Sequence, residues 1–167
     1  MFKVILVIIT ISLISCNNNP SSEVRMTTLD YSKINVFLKD SLPHVIEFNA
    51  KYNSEFNKWK YIKELDEVKV FFLIDAAQLS YPLNTLKTNI QKIDENNIPE
   101  LFNSPQIIGR FRVLKTDILK INIDDVSDLN VNTFKNHIKD IVNSYNALVS
   151  MMNLEVKKSN EININLD

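Results

Sequence analysis

Asp75 and the segment Gly109 to Thr116 are the places where residue type and spacing could support chemistry. Asp75 stands three residues after Phe72 and four before Leu79, so helical spacing puts its carboxylate within an apolar stripe. An unpaired buried charge is strongly disfavoured, which requires Asp75 either to lie at the margin of the core or to have a partner. Gly109-Arg110-Phe111-Arg112-Val113-Leu114-Lys115-Thr116 holds the single Gly and two of the three Arg residues. Gly within a helix costs about 1 kcal/mol relative to Ala, so its presence suggests close approach of another backbone. Two arrangements follow. Arg110, Arg112 or Lys115 could pair with Asp75 across adjacent helices, or Arg110 and Arg112 could form an anion site near a helix N-terminus. The pairing is favoured, because buried ion pairs commonly fix packing register.

Other titratable groups are sparser. His44 and His137 are far apart and have no second ligand at helical spacing, so neither reproduces the HExxH arrangement of a metal site. The carboxylate pairs Asp66-Glu67, Asp94-Glu95 and Asp124-Asp125 fall where helices begin or end. Adjacent residues do not face each other on a helix, so these pairs read as solvated. One Gly leaves no room for a phosphate-cradling loop or a GxSxG elbow. The sequence therefore assigns no catalytic residue, metal or cofactor.

The lone Cys is the other reactive group. Lys3 is followed by an apolar run, Val4 to Leu13, broken by Thr10 and Ser12, and the stretch ends Leu13-Ile14-Ser15-Cys16. The run falls short of the roughly 20 apolar residues that span a bilayer. A charged start, a short apolar centre and small residues before a break are the layout of a secretory signal peptide. Leu13-Ile14-Ser15-Cys16 resembles the bacterial lipobox. That resemblance implies cleavage before Cys16, a diacylglyceryl group on its sulfur and acylation of the new amino terminus. Two or more chains anchor stably where one binds only reversibly. A thiol so modified cannot act as a nucleophile.

Composition narrows the rest. Without residues 1–15 about 150 residues remain, one ordinary domain. Nineteen basic against twenty acidic residues give a net charge of -1, and losing Lys3 gives eighteen against twenty, or -2. Such a balance argues against a nucleic-acid binder, which shows a basic face. A single Cys excludes a disulfide framework within the chain. A single Gly argues against an all-β fold, whose tight turns need positive φ.

Helical periodicity supplies the positioning elements. Asn17 to about Asp30 lacks the apolar content to order itself and reads as a tether. A short helix over Asp30 to Lys39 would present Ile34, Phe37 and Leu38. Val45, Phe48, Tyr52, Phe56 and Trp59 predict a helix opened by Pro43 in its first turn. Its aromatic face would be core, or a partner surface if loosely packed. Leu65, Val68, Phe72, Ala76, Leu79, Leu83, Leu86, Ile90 and Ile93 predict about eight turns of helix, kinked at Pro82. Phe71, Leu73 and Ile74 broaden its apolar surface. A further helix should open with Ser104 as N-cap and Pro105 next, carrying Ile108, Phe111, Leu114, Ile118 and Ile121. After a polar loop over Asp124 to Asn130, a last helix capped by Asn132 carries Phe134, Ile138, Ile141, Tyr145, Leu148 and Met152.

The expected fold is an all-α antiparallel helical bundle of three long helices plus one or two N-terminal ones, spanning residues 31–157. It follows a signal peptide at 1–15 and a lipidated tether at 16–30, and precedes a polar tail at 158–167. With its lipobox and Pro105-to-Thr116 segment, the chain resembles the small Asn- and Lys-rich helical lipoproteins of Bacteroidetes-type bacteria. That resemblance implies no particular activity. In Gram-negative lipoproteins an Asp after the Cys often marks inner-membrane retention, so Asn17 points to the outer membrane. The expected role is structural or protein-interacting, with the membrane reached through lipid on Cys16 and an envelope protein as partner. A small-ligand or anion-binding module is the alternative. An envelope enzyme ranks third, for want of a nucleophile, base or metal cluster.

Overall fold

The stripe from Phe134 to Met152 lies on the helix that carries the molecule. The computed structural model describes residues 31–121 and 130–164. In it helix α6 runs from Val131 to Ile164 and buries nine apolar side chains from Phe134 to Val156 at helical spacing. It begins one residue before the expected cap, with the Phe134 N–H bonded to the Asn130 carbonyl at 3.1 Å. The segment expected to be a polar tail continues the helix through Ile164. Five further α-helices occupy the described residues: α1 (Ser32–Asp40), α2 (Asn53–Phe56), α3 (Ile62–Asp66), α4 (Ser80–Lys92) and α5 (Pro105–Lys120). With no strand among the described residues, the chain is an all-α helical bundle whose three long members are α4, α5 and α6. The signal peptide, Cys16, the tether and most of the 124–130 loop lie outside the described residues.

Helix α5 starts as its sequence predicts. The Ser104 hydroxyl accepts from the Ile107 N–H at 3.3 Å, and Pro105 takes the first helical position, where no donor is needed. Phe111, Leu114 and Ile118 are buried against α6 as expected, and Ile107 rather than Ile108 completes the face. On α1, Ile34 and Leu38 are buried.

Two expected helices fold differently. The stretch from Leu65 is not one kinked helix. Helix α3 ends at Asp66, the chain tightens into a 3-10 helix from Glu67 to Phe72, and it breaks before a second 3-10 turn at Ala76–Gln78. Three residues per turn bring every third side chain to one side, so Leu65, Val68 and Phe71 are buried. Phe72, which a 3.6-residue period would bury, is turned outward and 39% exposed. Asp75 explains the break. Its backbone is extended, and its carboxylate caps the next turn by accepting from the Ala77 N–H at 3.0 Å. Asn35 on α1 secures the bend, donating to the Asp75 carboxylate at 2.8 Å and accepting from the Ala76 N–H at 2.7 Å. Pro82 then lies in the first turn of α4 and causes no kink, because first-turn N–H groups have no helical partner to lose.

The helix expected from Pro43 is instead an extended strap over residues 43–49, followed by a 3-10 turn at Ala50–Tyr52 and by α2. Two side-chain amides of α6 hold it. Asn146 donates to the His44 carbonyl at 2.8 Å and accepts from the Ile46 N–H at 2.7 Å. Asn153 repeats the pattern, donating to the Glu47 carbonyl at 2.9 Å and accepting from the Asn49 N–H at 2.9 Å. Seven residues of α-helix rise about 10.5 Å, and three residues of extended chain span about 10 Å. The two rungs therefore stay in register. Beneath the strap the aromatic residues form the core expected of them. Phe48 lies 4.9 Å from Phe56, Phe56 stacks on Phe102 at 5.8 Å, and Trp59 meets Phe111 at 6.0 Å.

Candidate interaction surface

Asp75 and the three cations expected to meet it take separate partners. Asp75 is exposed and bound to Asn35, as above. Arg112 forks onto Glu95, with its Nε 3.0 and 3.1 Å from the two carboxylate oxygens and its Nη2 2.6 Å from one of them. That pair lowers the Glu95 carboxyl below the usual carboxylate range, chiefly through the Arg112 hydrogen bond, and raises the guanidinium in return. Lys115 donates to the Ile93 carbonyl at 3.2 Å, and Arg110 reaches the Gln106 carbonyl at 3.4 Å. The Asp75 ion pair is not formed, because the bend that exposes Asp75 is held by α1. Gly109 also departs from expectation. A Cβ there would meet nothing within 4 Å, so no backbone approaches it.

Of the carboxylate pairs, Asp124-Asp125 lies outside the described residues, and Asp66-Glu67 and Asp94-Glu95 are not simply solvated. Asp94 caps the 3-10 turn after α4, accepting from the Asn96 N–H at 3.0 Å, while Glu95 holds Arg112. Asp66 joins three elements. It accepts from the Tyr145 hydroxyl at 2.7 Å and from the Lys69 ammonium at 2.9 Å, and Lys69 also pairs with Glu47 on the strap. Burial opposes the charge on Lys69, but its hydrogen bonds to Asp66 and Glu47 outweigh that and raise its pKa. Burial first, and the bond to Asp66 second, push the Tyr145 phenol far above its ordinary value. Through these contacts the cluster braces the strap and the 3-10 segment against α6. His44 is exposed and His137 half-buried, and no three metal-capable side chains converge among the described residues.

The surface beside this brace is different. The 3-10 segment and the start of α4 enclose a groove of about 460 Å³, lined by Asp66, Glu67, Lys69, Val70, Leu73, Tyr81, Pro82 and Thr85. Leu73 and Tyr81 on its rim are 79% and 81% exposed. On the other side of Leu73 a second groove, of about 420 Å³, runs between α1 and Phe71 to Asp75. Leu73 thus stands between two clefts, with Phe72 beside it. The sequence counts Leu73 among the residues that broaden an apolar helix surface and does not single out Tyr81. The readable signal was Asp75 followed by Pro82, a cap and a first-turn proline that together restart the helix. No described helix is long and apolar enough to cross a membrane.

Comparison with protein-family models, curated proteins and solved structures finds no match to this chain.

Proposed function

We propose that this chain is a lipid-anchored protein of the bacterial envelope, held at the outer membrane through Cys16, whose helical domain is a non-enzymatic protein-interaction module. The observation that carries the interaction reading is the pair Leu73 and Tyr81, both exposed and both lining one groove. Single exposed apolar residues are ordinary on a protein surface. Apolar side chains gathered around a concave, partly charged groove are characteristic of contact sites. The anchoring reading rests on Leu13-Ile14-Ser15-Cys16 and on Cys16 being the only Cys. An anion site at Arg110 and Arg112 draws less support, because Glu95 already engages Arg112.

Replacing Cys16 with Ala should move the protein from the membrane fraction to the soluble fraction and abolish lipid labelling; retained label would overturn the anchor. A photo-crosslinking residue at position 73 should give a discrete protein adduct in intact cells. The same residue at position 113, exposed on α5, should not. Equal adducts at both positions, or none at 73, would overturn the interaction reading.

A further inference from the structure

Glu67 is the carboxylate in the groove that meets a cation only through an amide, Asn89 standing between it and Lys92. It is half-buried, and both of its carboxylate oxygens accept from the same neutral amide, Asn89 Nδ2, at 3.1 and 3.0 Å. Among the described residues no Lys or Arg lies within ion-pair distance of it. Its neighbours carry a charge surplus of the same sign. Lys69 is shared between Asp66 and Glu47, and Lys92 reaches only the side-chain carbonyl oxygen of Asn89, at 3.3 Å, so three carboxylates stand against two ammoniums in this region. A half-buried carboxylate is weakly hydrated, and a cation entering the groove would find a strong electrostatic partner.

The rest of the groove sets the shape of that cation's carrier. Val70 and Pro82 line the groove with apolar surface alongside Glu67, and Tyr81, which also lines it, is exposed. We infer that this groove receives an arginine side chain of a partner protein, its aliphatic stem on Val70 and Pro82 and its guanidinium between Glu67 and Tyr81. Arginine fits better than lysine. A planar guanidinium forks onto a carboxylate and stacks on an aromatic ring, whereas an ammonium is a strongly hydrated point charge. An anionic bilayer surface does not fit, because the groove's net charge has the same sign. The inference deepens the interaction reading and rests on it.

A defined probe tests it: the acetylated tripeptide amide Ac-Leu-Arg-Leu-NH2, against the same peptide with citrulline, which keeps the shape and removes the charge. Titrated into the 15N-labelled domain to about 10 mM, the weak end of measurable affinity, the arginine peptide should shift the amides of Glu67, Val70, Leu73, Tyr81 and Thr85. The citrulline peptide should bind about tenfold or more weaker, the scale of one charge-assisted hydrogen bond. Glu67→Gln should remove the preference for arginine. Tyr81→Ala, at a side chain too exposed to matter for folding, should weaken the arginine peptide alone. Equal binding of the two peptides, shifts confined to another surface, or no shifts at all would overturn the inference. Binding to anionic vesicles that is unaffected by Glu67→Gln would also overturn it. Adducts at position 73 in cells together with failure of the arginine peptide would sink this inference and leave the interaction reading standing.

Discussion

Gly109 shows how a residue's setting decides its meaning. It lies in the interior of α5, exposed, with open space where a Cβ would be. Its only effect is then the backbone freedom it adds to the unfolded chain, so Gly109→Ala should stabilise the protein by about 0.5–1 kcal/mol. A urea midpoint that rises at constant slope would show this. A fall would mean that something does press on α5 there. The Glu95–Arg112 pair makes a pH prediction. Because the folded Glu95 carboxyl is held below its unfolded value, the pair's contribution is fully present above about pH 4.3. It is lost as pH falls through the lower folded pKa. The pair is solvent-exposed, so the contribution is small and weakened by salt. Thermal melts of the parent and Arg112→Ala should differ slightly at neutral pH in low salt and converge in strong acid; a gap that widens on acidification would contradict the assignment.

At the scale of elements, the strap is the test case. Residues 43–49 have alternative use as helix, and their apolar spacing says helix. The competing interaction is the amide pair on α6, which satisfies two N–H and two C=O groups of the strap. Asn146→Ala or Asn153→Ala should each cost about 1 kcal/mol, the net worth of an ordinary hydrogen bond, because the exposed backbone groups of the strap return to water when they lose their partners. Hydrogen exchange should localise the damage, speeding the Ile46 amide in the first variant and the Asn49 amide in the second. Asn146→Asp keeps the acceptor for Ile46 N–H but not the donor for the His44 carbonyl, and should fall between parent and Ala. Uniform destabilisation without faster exchange at the strap would show that the amides are not its clamp. The same competition explains the 67–78 segment, where an Asp cap and a first-turn proline divide what periodicity alone makes continuous.

Across the whole molecule, stability comes from one apolar core that α4, α5 and α6 share with the aromatic residues beneath the strap. Phe111 is fully buried and meets Trp59 from across that core. Phe111→Ala should cost about 3–5 kcal/mol through lost transfer energy and the cavity it leaves, lowering the melting temperature by several degrees or more. Truncation of Tyr81, which projects into solvent, should leave that temperature nearly unchanged. Comparable losses at the two positions would mean that the groove rim is part of the core. The contrast separates the rigid body of the bundle from the surface it presents.

The all-α class, the start of α5 at Ser104-Pro105 and most of the buried set are legible in the residues alone. Leu65, Val68, Leu79, Leu83, Leu86 and Ile90 are all buried although they do not share one helix, because burial follows residue type more closely than it follows backbone geometry. Tertiary structure alone decided whether a given apolar run repeats at 3.6 or 3 residues per turn, or not at all. Those conformers differ little in local energy, so contacts distant in sequence tip the balance: Asn146 and Asn153 for the strap, and Asn35 for the bend at Asp75. One consequence of that choice is the exposure of Phe72 and Leu73, and with it the groove that Leu73 and Tyr81 frame.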